Sequence, residues 1–118
     1  MEKILFVPHP TLRQKAEPIK KITIKDLDIA KRMTDLMLNA PGVGLAANQV
    51  GILRQIITVN ILDEEKQKEK IYSLFNPNII FYSKKKILME EGCLSLPKQY
   101  AEIERPEEIE VEYFNDKN

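Results

Sequence analysis

Residues 24–40, IKDLDIAKRMTDLMLNA, form a long stretch whose apolar side chains recur with helical spacing. Leu27, Ala30, Met33 and Met37 follow one another at intervals of three and four, while Lys25, Asp28, Lys31, Arg32 and Asp35 fill positions between them. At about 3.6 residues per turn this places the four apolar residues on one face, so the segment predicts an amphipathic helix with a single stripe to bury. Pro41-Gly42 ends it. The other apolar runs, RQIITVNIL, IYSLFNP, IIFYSKKKILM and EIEVEYF, are short and rich in β-branched and aromatic residues, which predicts strands. In the last of these Ile109, Val111 and Tyr113 face one way and Glu108, Glu110 and Glu112 the other. The charged segment 63–70 between the first two runs reads as a solvated hairpin loop. The fold class that satisfies these patterns is α+β, with one long helix packed on mostly antiparallel strands.

At 118 residues, with no repeat and no Gly/Ser linker, the chain predicts one domain over residues 1–118. Hydrophobic residues at 43% and charged residues at 31% are those of a globular protein rather than a disordered one. Lys+Arg and Asp+Glu balance at 18 each, so no net field would draw nucleic acid or an anionic membrane. Near the amino terminus only Ile4, Leu5, Phe6 and Val7 run together before Pro8, too few for a signal-peptide core or a membrane span. The expectation is a cytoplasmic protein. The stretch HPTLRQKAEPI predicts a short helical turn, capped near Pro10 and Thr11 and ended by Pro18, with His9 a turn residue between prolines.

Two stretches can carry chemistry. GVGLAA at 42–47 matches a dinucleotide-binding turn, which needs a strand before it and a helix after it; here a helix precedes and a strand follows. The alternative is a tight helix-to-strand connection with Leu45, Ala46 and Ala47 packed beneath. Gln49 lies beyond that explanation, because a carboxamide beside a glycine-lined backbone can donate an N–H to a carbonyl oxygen that becomes negative during attack. Cys93 is the only cysteine, which excludes an internal disulfide and fits a reducing compartment. It reads as a core residue, as a nucleophile with His9 the only histidine to serve it, or as a metal ligand needing two or three others. The residues alone leave these readings open. Lys84, Lys85 and Lys86 read as a solvated turn, and Glu102, Glu104, Glu107, Glu108, Glu110 and Glu112 as an exposed strand face rather than a metal site.

Taken together, GVGLAANQ at 42–49 and EGCLS at 91–95 resemble the peptide deformylases, whose first two motifs are G-x-G-L-A-A-x-Q and E-G-C-L-S; every fixed position matches. HPTLRQKAEPI and FNPNI are similar to the family as well, so the likeness runs from about residue 4 to 115. The resemblance implies a metal-dependent hydrolase that removes the N-formyl group from the initiator methionine of nascent polypeptides. Cys93 would be a thiolate ligand of Fe2+ or Zn2+, and Gln49 with the backbone N–H of Leu94 would polarise the formyl oxygen. The backbone at Gly42, Val43 and Gly44 would bind the formyl-methionyl peptide, with Val43 also lining the methionine pocket. For a ribosome-associated family the three lysines are a candidate RNA contact.

The family's third motif is an H-E-x-x-H helix, whose imidazoles at i and i+4 bind the metal and whose glutamate serves as general acid and base. It follows the strand that here reads IEVEYFNDKN, and this sequence, with one histidine, does not contain it. The chain is therefore expected to be a piece of an ordinary deformylase, one half of a split enzyme whose second chain supplies the helix, or a degenerate member that only binds peptides or a partner. The intact motifs favour the first two. Cys93 and Gln49 should share one pocket, the chain alone should not hydrolyse formyl-methionyl peptides, and part of its strand surface should be an uncovered apolar groove.

Overall fold

A computed structural model describes residues 3–63 and 65–115. Thr23 and Asp26 start helix α1 (Ile24–Asn39) with a capping box: the Asp26 N–H donates to Thr23 Oγ1 at 3.3 Å and the Thr23 N–H to Asp26 Oδ2 at 2.9 Å. Asp26 also accepts two hydrogen bonds from Arg54, Nε to Oδ1 at 2.8 Å and Nη2 to Oδ2 at 3.2 Å, although the aspartate is only 1% exposed. Burial by itself raises the pKa of this carboxyl. The Thr23 N–H, the Arg54 guanidinium and the Thr23 hydroxyl outweigh it and hold the group below its ordinary value.

This pair also turns the helix. The stripe it buries is Asp26, Ile29, Ala30, Met33 and Met37, with Leu27 and Leu36 only partly covered at its margins. Leu27, expected on this face, packs against it part-buried, whereas Ile29 was not expected there; the anchored Asp26 points inward, and the residues three and four positions on follow it.

The remaining elements are β1 (Gly44–Ala46), β2 (Ile56–Asp63), β3 (Lys68–Tyr82), β4 (Lys86–Cys93), β5 (Leu96–Pro106) and β6 (Ile109–Phe114). Four form an antiparallel sheet in the order β1-β2-β3-β6, and β4 and β5 form a separate antiparallel hairpin. α1 lies over the inner end of the larger sheet, where Met33, Met37, Leu45, Ile56 and Phe75 form one cluster and the Thr58 hydroxyl donates to Met37 Sδ at 3.7 Å. Farther out Ile79, Phe81 and Tyr82 of β3 and Ile109, Tyr113 and Phe114 of β6 are exposed, so the alternation of β6 is not mirrored in burial. Among the described residues no helix is long and apolar enough to cross a membrane.

Several boundaries differ from the sequence reading. IIFYSKKKILM is not one strand: Ile79–Tyr82 end β3, residues 83–85 turn, and Lys86 opens β4. The 63–70 loop shrinks because β2 continues to Asp63 and β3 begins at Lys68. β5 was not expected, and with it the glutamates divide between two sheets, Glu102 and Glu104 on β5 and Glu110 and Glu112 on β6. The short turn is a 3-10 helix over Pro10–Arg13 only, and it is His9 that caps it, Nδ1 accepting from the Thr11 N–H at 3.2 Å.

The arm before α1 has little burial of its own and is laced to the body through its backbone. Leu5 and Val7 N–H groups donate to the Gln49 and Ser95 carbonyls at 2.6 and 3.0 Å, and Glu17 pairs with Leu53 and Gln55 at 3.0 Å each. At Ile19 a side chain takes over the ladder: the Ile19 N–H donates to Asn76 Oδ1 and Asn76 Nδ2 donates to the Ile19 carbonyl, both at 2.7 Å. Asn76 sits in β3 at φ 52°, left-handed backbone that asparagine tolerates better than most residues, at an irregularity of the β3–β6 register.

Asn76→Ala is expected to cost about 3 kcal/mol, combining two lost hydrogen bonds of about 1 kcal/mol each with the left-handed penalty. Asn76→Gly, free of that penalty, should cost about 1 kcal/mol less in urea denaturation. Because the native pKa of Asp26 is depressed, its contribution is fully present above its ordinary value of 3.8 and fades as pH falls through the lowered native value. The stability gap between the chain and Asp26→Asn, measured by denaturation from pH 7 to 2, should therefore narrow at the acid end.

Candidate functional site

The carboxy-terminal end of α1 and the start of β1 make one wall of a groove. The Gly42 N–H donates to the Met37 carbonyl at 2.7 Å, turning the chain off the helix, and the Val43 carbonyl then accepts from the Asn60 N–H at 2.9 Å. Antiparallel strands alternate between hydrogen-bonded and non-bonded pairs, so if Val43 faces β2, Gly44 directs its own N–H and C=O to the opposite side. That side is the groove, since β1 is an edge strand. The Ala46 N–H points the same way, where Gln49 Oε1 accepts it at 2.9 Å.

Gln49 lies in a 3-10 turn, Ala47–Val50, that folds back beside β1 and is closed by Gly51 at φ 85°, left-handed backbone that favours glycine. Its carboxamide has one orientation open to it. An N–H can meet only the oxygen, so Oε1 faces Ala46 and the NH2 group faces away, 3.6 Å from Cys93 Sγ and 3.2 Å from Ser95 Oγ.

Cys93 and Ser95 come from the hairpin. Cys93 ends β4 and is exposed, and Leu94 and Ser95 make the turn into β5. One glycine sets how closely the hairpin approaches the body, and another how closely its own strands pack. A Cβ on Gly42 would fall 2.8 Å from Leu94 Cδ1, and one on Gly92 2.7 Å from Tyr100 Cε1. Gly42 is thus needed for an empty surface against Leu94 rather than for an unusual φ, which revises the reading of both glycines as a tight connection; Gly44 already belongs to β1. Farther down the hairpin Arg105 binds Glu91 through Nε and Nη2 at 2.9–3.2 Å, and these hydrogen bonds hold the Glu91 carboxyl below its usual pKa.

The groove encloses about 980 Å³. Gly42, Val43, Gly44, Gln49, Cys93 and Leu94, the six residues singled out from sequence, all line it. No Asp, Glu, Lys, Arg or His is among its lining residues, and Ile4, Phe6, Leu36 and a 77%-exposed Val43 give it apolar sides. Such a site suits an apolar side chain attached to a polar, uncharged backbone. His9, Lys84–Lys86 and the strand glutamates lie outside it. The glycine turn does not match dinucleotide binding: it receives the carbonyl end of α1, where a pyrophosphate needs a helix amino terminus. Sequence reasoning missed Ser95, whose signal was its place in EGCLS, and the wall residues Ile4, Phe6 and Leu36, which carried none.

A divalent iron or zinc ion needs three or more protein ligands to be held against water. Among the described residues no group of three His, Cys, Asp or Glu side chains is placed to hold one, and the nearest polar partner of Cys93 is an N–H donor. These residues by themselves do not fit a resident metal.

An antiparallel α+β fold of this kind is that of a class of hydrolases already seen in crystals: a probable peptide deformylase from Synechococcus phage S-SSM7 superposes with a TM-score of 0.87 at 36% identity, over 98% of this chain and 77% of that one. Curated peptide deformylases are similar too. That of Phenylobacterium zucineum is 37% identical over 98% of this chain and 68% of its own length, and that of Pelagibacter ubique 42% identical over 98% and 66%. The polypeptide deformylase family model matches residues 1–118, and the chain belongs to that family. It spans about two thirds of the length of the curated relatives it matches.

Gly42→Ala should displace the Leu94 side chain and shift the backbone amide resonances of Leu94 and Cys93, at a stability cost of about 1 kcal/mol because the end of a leucine can move. Gly44→Ala, whose Cβ would meet nothing nearer than 3.7 Å, should leave both resonances in place.

Proposed function

We propose that this chain supplies the peptide-binding groove, one metal ligand and the carbonyl-polarising donors of an N-formylmethionine amide hydrolase, and that the remaining ligands and the general base come from an H-E-x-x-H segment outside these residues. The observation that carries the reading is the Gln49 carboxamide, turned so that its NH2 group stands 3.6 Å from Cys93 Sγ inside an uncharged groove. A carbonyl oxygen placed there would accept from Gln49, and from the Leu94 N–H if it turns the same way, as charge develops on it. The peptide would lie along β1, Gly44 offering one N–H and one C=O in the manner of an added strand. Its methionine side chain would rest against Val43 and the apolar wall. Cys93 would hold Fe2+ or Zn2+ only with further ligands beside it.

The 118-residue chain, incubated with ferrous or zinc ion, is expected to give no enzymatic turnover of formyl-Met-Ala-Ser. Adding a synthetic peptide bearing the family's H-E-x-x-H helix should yield a one-to-one complex and recover hydrolysis. Normal turnover without the added helix would defeat the division of labour. A chain that binds formyl-methionyl peptide by calorimetry but ignores both helix and metal would instead be a non-catalytic peptide binder.

A further inference from the structure

Ser95 is 3% exposed, and its hydroxyl oxygen lies 3.2 Å from Gln49 Nε2. We propose that Ser95 is the positioning residue for Gln49: its hydroxyl accepts one N–H of the carboxamide and thereby keeps the other turned toward Cys93 Sγ at the groove. The inference rests on the reading of Gln49 as the donor to the substrate carbonyl.

A single contact cannot orient a carboxamide. The bond from the Ala46 N–H fixes Oε1, but the terminal torsion of glutamine is broad, and the plane can still pivot about that point. A second contact at the nitrogen end stops the pivot. Two acceptors are within reach, Cys93 Sγ at 3.6 Å and Ser95 Oγ at 3.2 Å, and sulfur is the weaker. A residue this deeply buried rarely leaves its hydroxyl unpartnered, and Gln49 Nε2 lies within hydrogen-bond distance of it.

Both backbones are fixed independently of their side chains. The Ser95 carbonyl accepts from the Val7 N–H at 3.0 Å and the Gln49 carbonyl from the Leu5 N–H at 2.6 Å, so one short piece of the arm sets the two residues opposite each other. Of two amide hydrogens about 120° apart, one is occupied by Ser95, and the other faces Cys93 Sγ, where a substrate carbonyl would compete with the weaker sulfur acceptor.

The test uses the side-chain amide of Gln49 in 15N-labelled chain, with Gln55 as internal control because its Nε2 donates to the Ala16 carbonyl at 3.3 Å, away from Ser95. In the unsubstituted chain the Gln49 NH2 protons should exchange slowly and give a nuclear Overhauser contact to the Ser95 β-protons. Ser95→Ala should speed their exchange roughly tenfold, the loss of one hydrogen bond of about 1.4 kcal/mol, and leave Gln55 unchanged. Gln49 protons that exchange freely in the unsubstituted chain, or that ignore Ser95→Ala, overturn the proposal. If the Ala variant fails to fold, as loss of the Gln55 signal would reveal, the contact and exchange in the unsubstituted chain decide alone.

In the complex reconstituted with the helix peptide and ferrous ion, Ser95→Ala should lower kcat roughly tenfold to a hundredfold with KM little changed, and Ser95→Thr should restore part of it. Unchanged kcat overturns the proposal. A reconstituted complex that stays inactive, with Gln49 still responding to Ser95→Ala, counts against the hydrolase reading and leaves the orientation of Gln49 standing.

Discussion

The amino-terminal arm is held by hydrogen bonds more than by burial, and the geometry of the groove depends on them. Among its described residues only Ile19 is a buried member of the core, with Ile4 and Ile22 part-buried against it, yet its backbone reaches Gln49, Ser95, Leu53, Gln55 and Asn76 in turn. Those partners lie on the 3-10 turn, the hairpin turn, the stretch just before β2 and the middle of β3. Each bond is worth only about 1 kcal/mol, but together they join parts of the chain that share little packing. The bond from the Val7 N–H to the Ser95 carbonyl ties the hairpin to the arm, beside its contacts with Gly42 and Gln49.

What the lacing achieves is a meeting of two residues 44 positions apart. Gln49 comes from the larger sheet's edge and Cys93 from the separate hairpin, and neither element alone makes a site. The contact of Leu94 with Gly42 brings the same two pieces together on the apolar side, so the groove has a polar seam and a greasy seam closed by adjacent residues.

The helix and the motifs were legible because each carries its own periodicity or fixed spacing. Met33 and Met37 fall on the buried face as their spacing requires, and GVGLAANQ and EGCLS converge on one groove. What stayed hidden was non-local. Asp26 in a first helical turn reads as an ordinary cap, and nothing near it announces that Arg54, 28 residues later, holds it buried and rotates the helix. Asn76-Pro77 reads as a break, but the asparagine side chain substitutes for the ladder and β3 runs on past it. LPKQYAEIERP mixes proline and charge too freely to read as a strand, and β5 exists because β4 lies beside it. In β6 the alternation is visible and the burial is not, since alternation says which side chains share a face and not whether anything covers it.

The hairpin that carries Cys93 leaves Leu88, Met89 and Tyr100 largely exposed and meets the body at its tip, through Leu94, Ser95 and the Gln49 amide. A unit attached in this way would have an opening equilibrium of its own, governed by a few contacts rather than by the core under α1. Only a seated hairpin presents thiol and amide together. The apparent affinity for any ligand that needs both would be the intrinsic one scaled by the seated fraction, so a substitution at the tip would weaken binding without touching the ligand or the global stability of the fold.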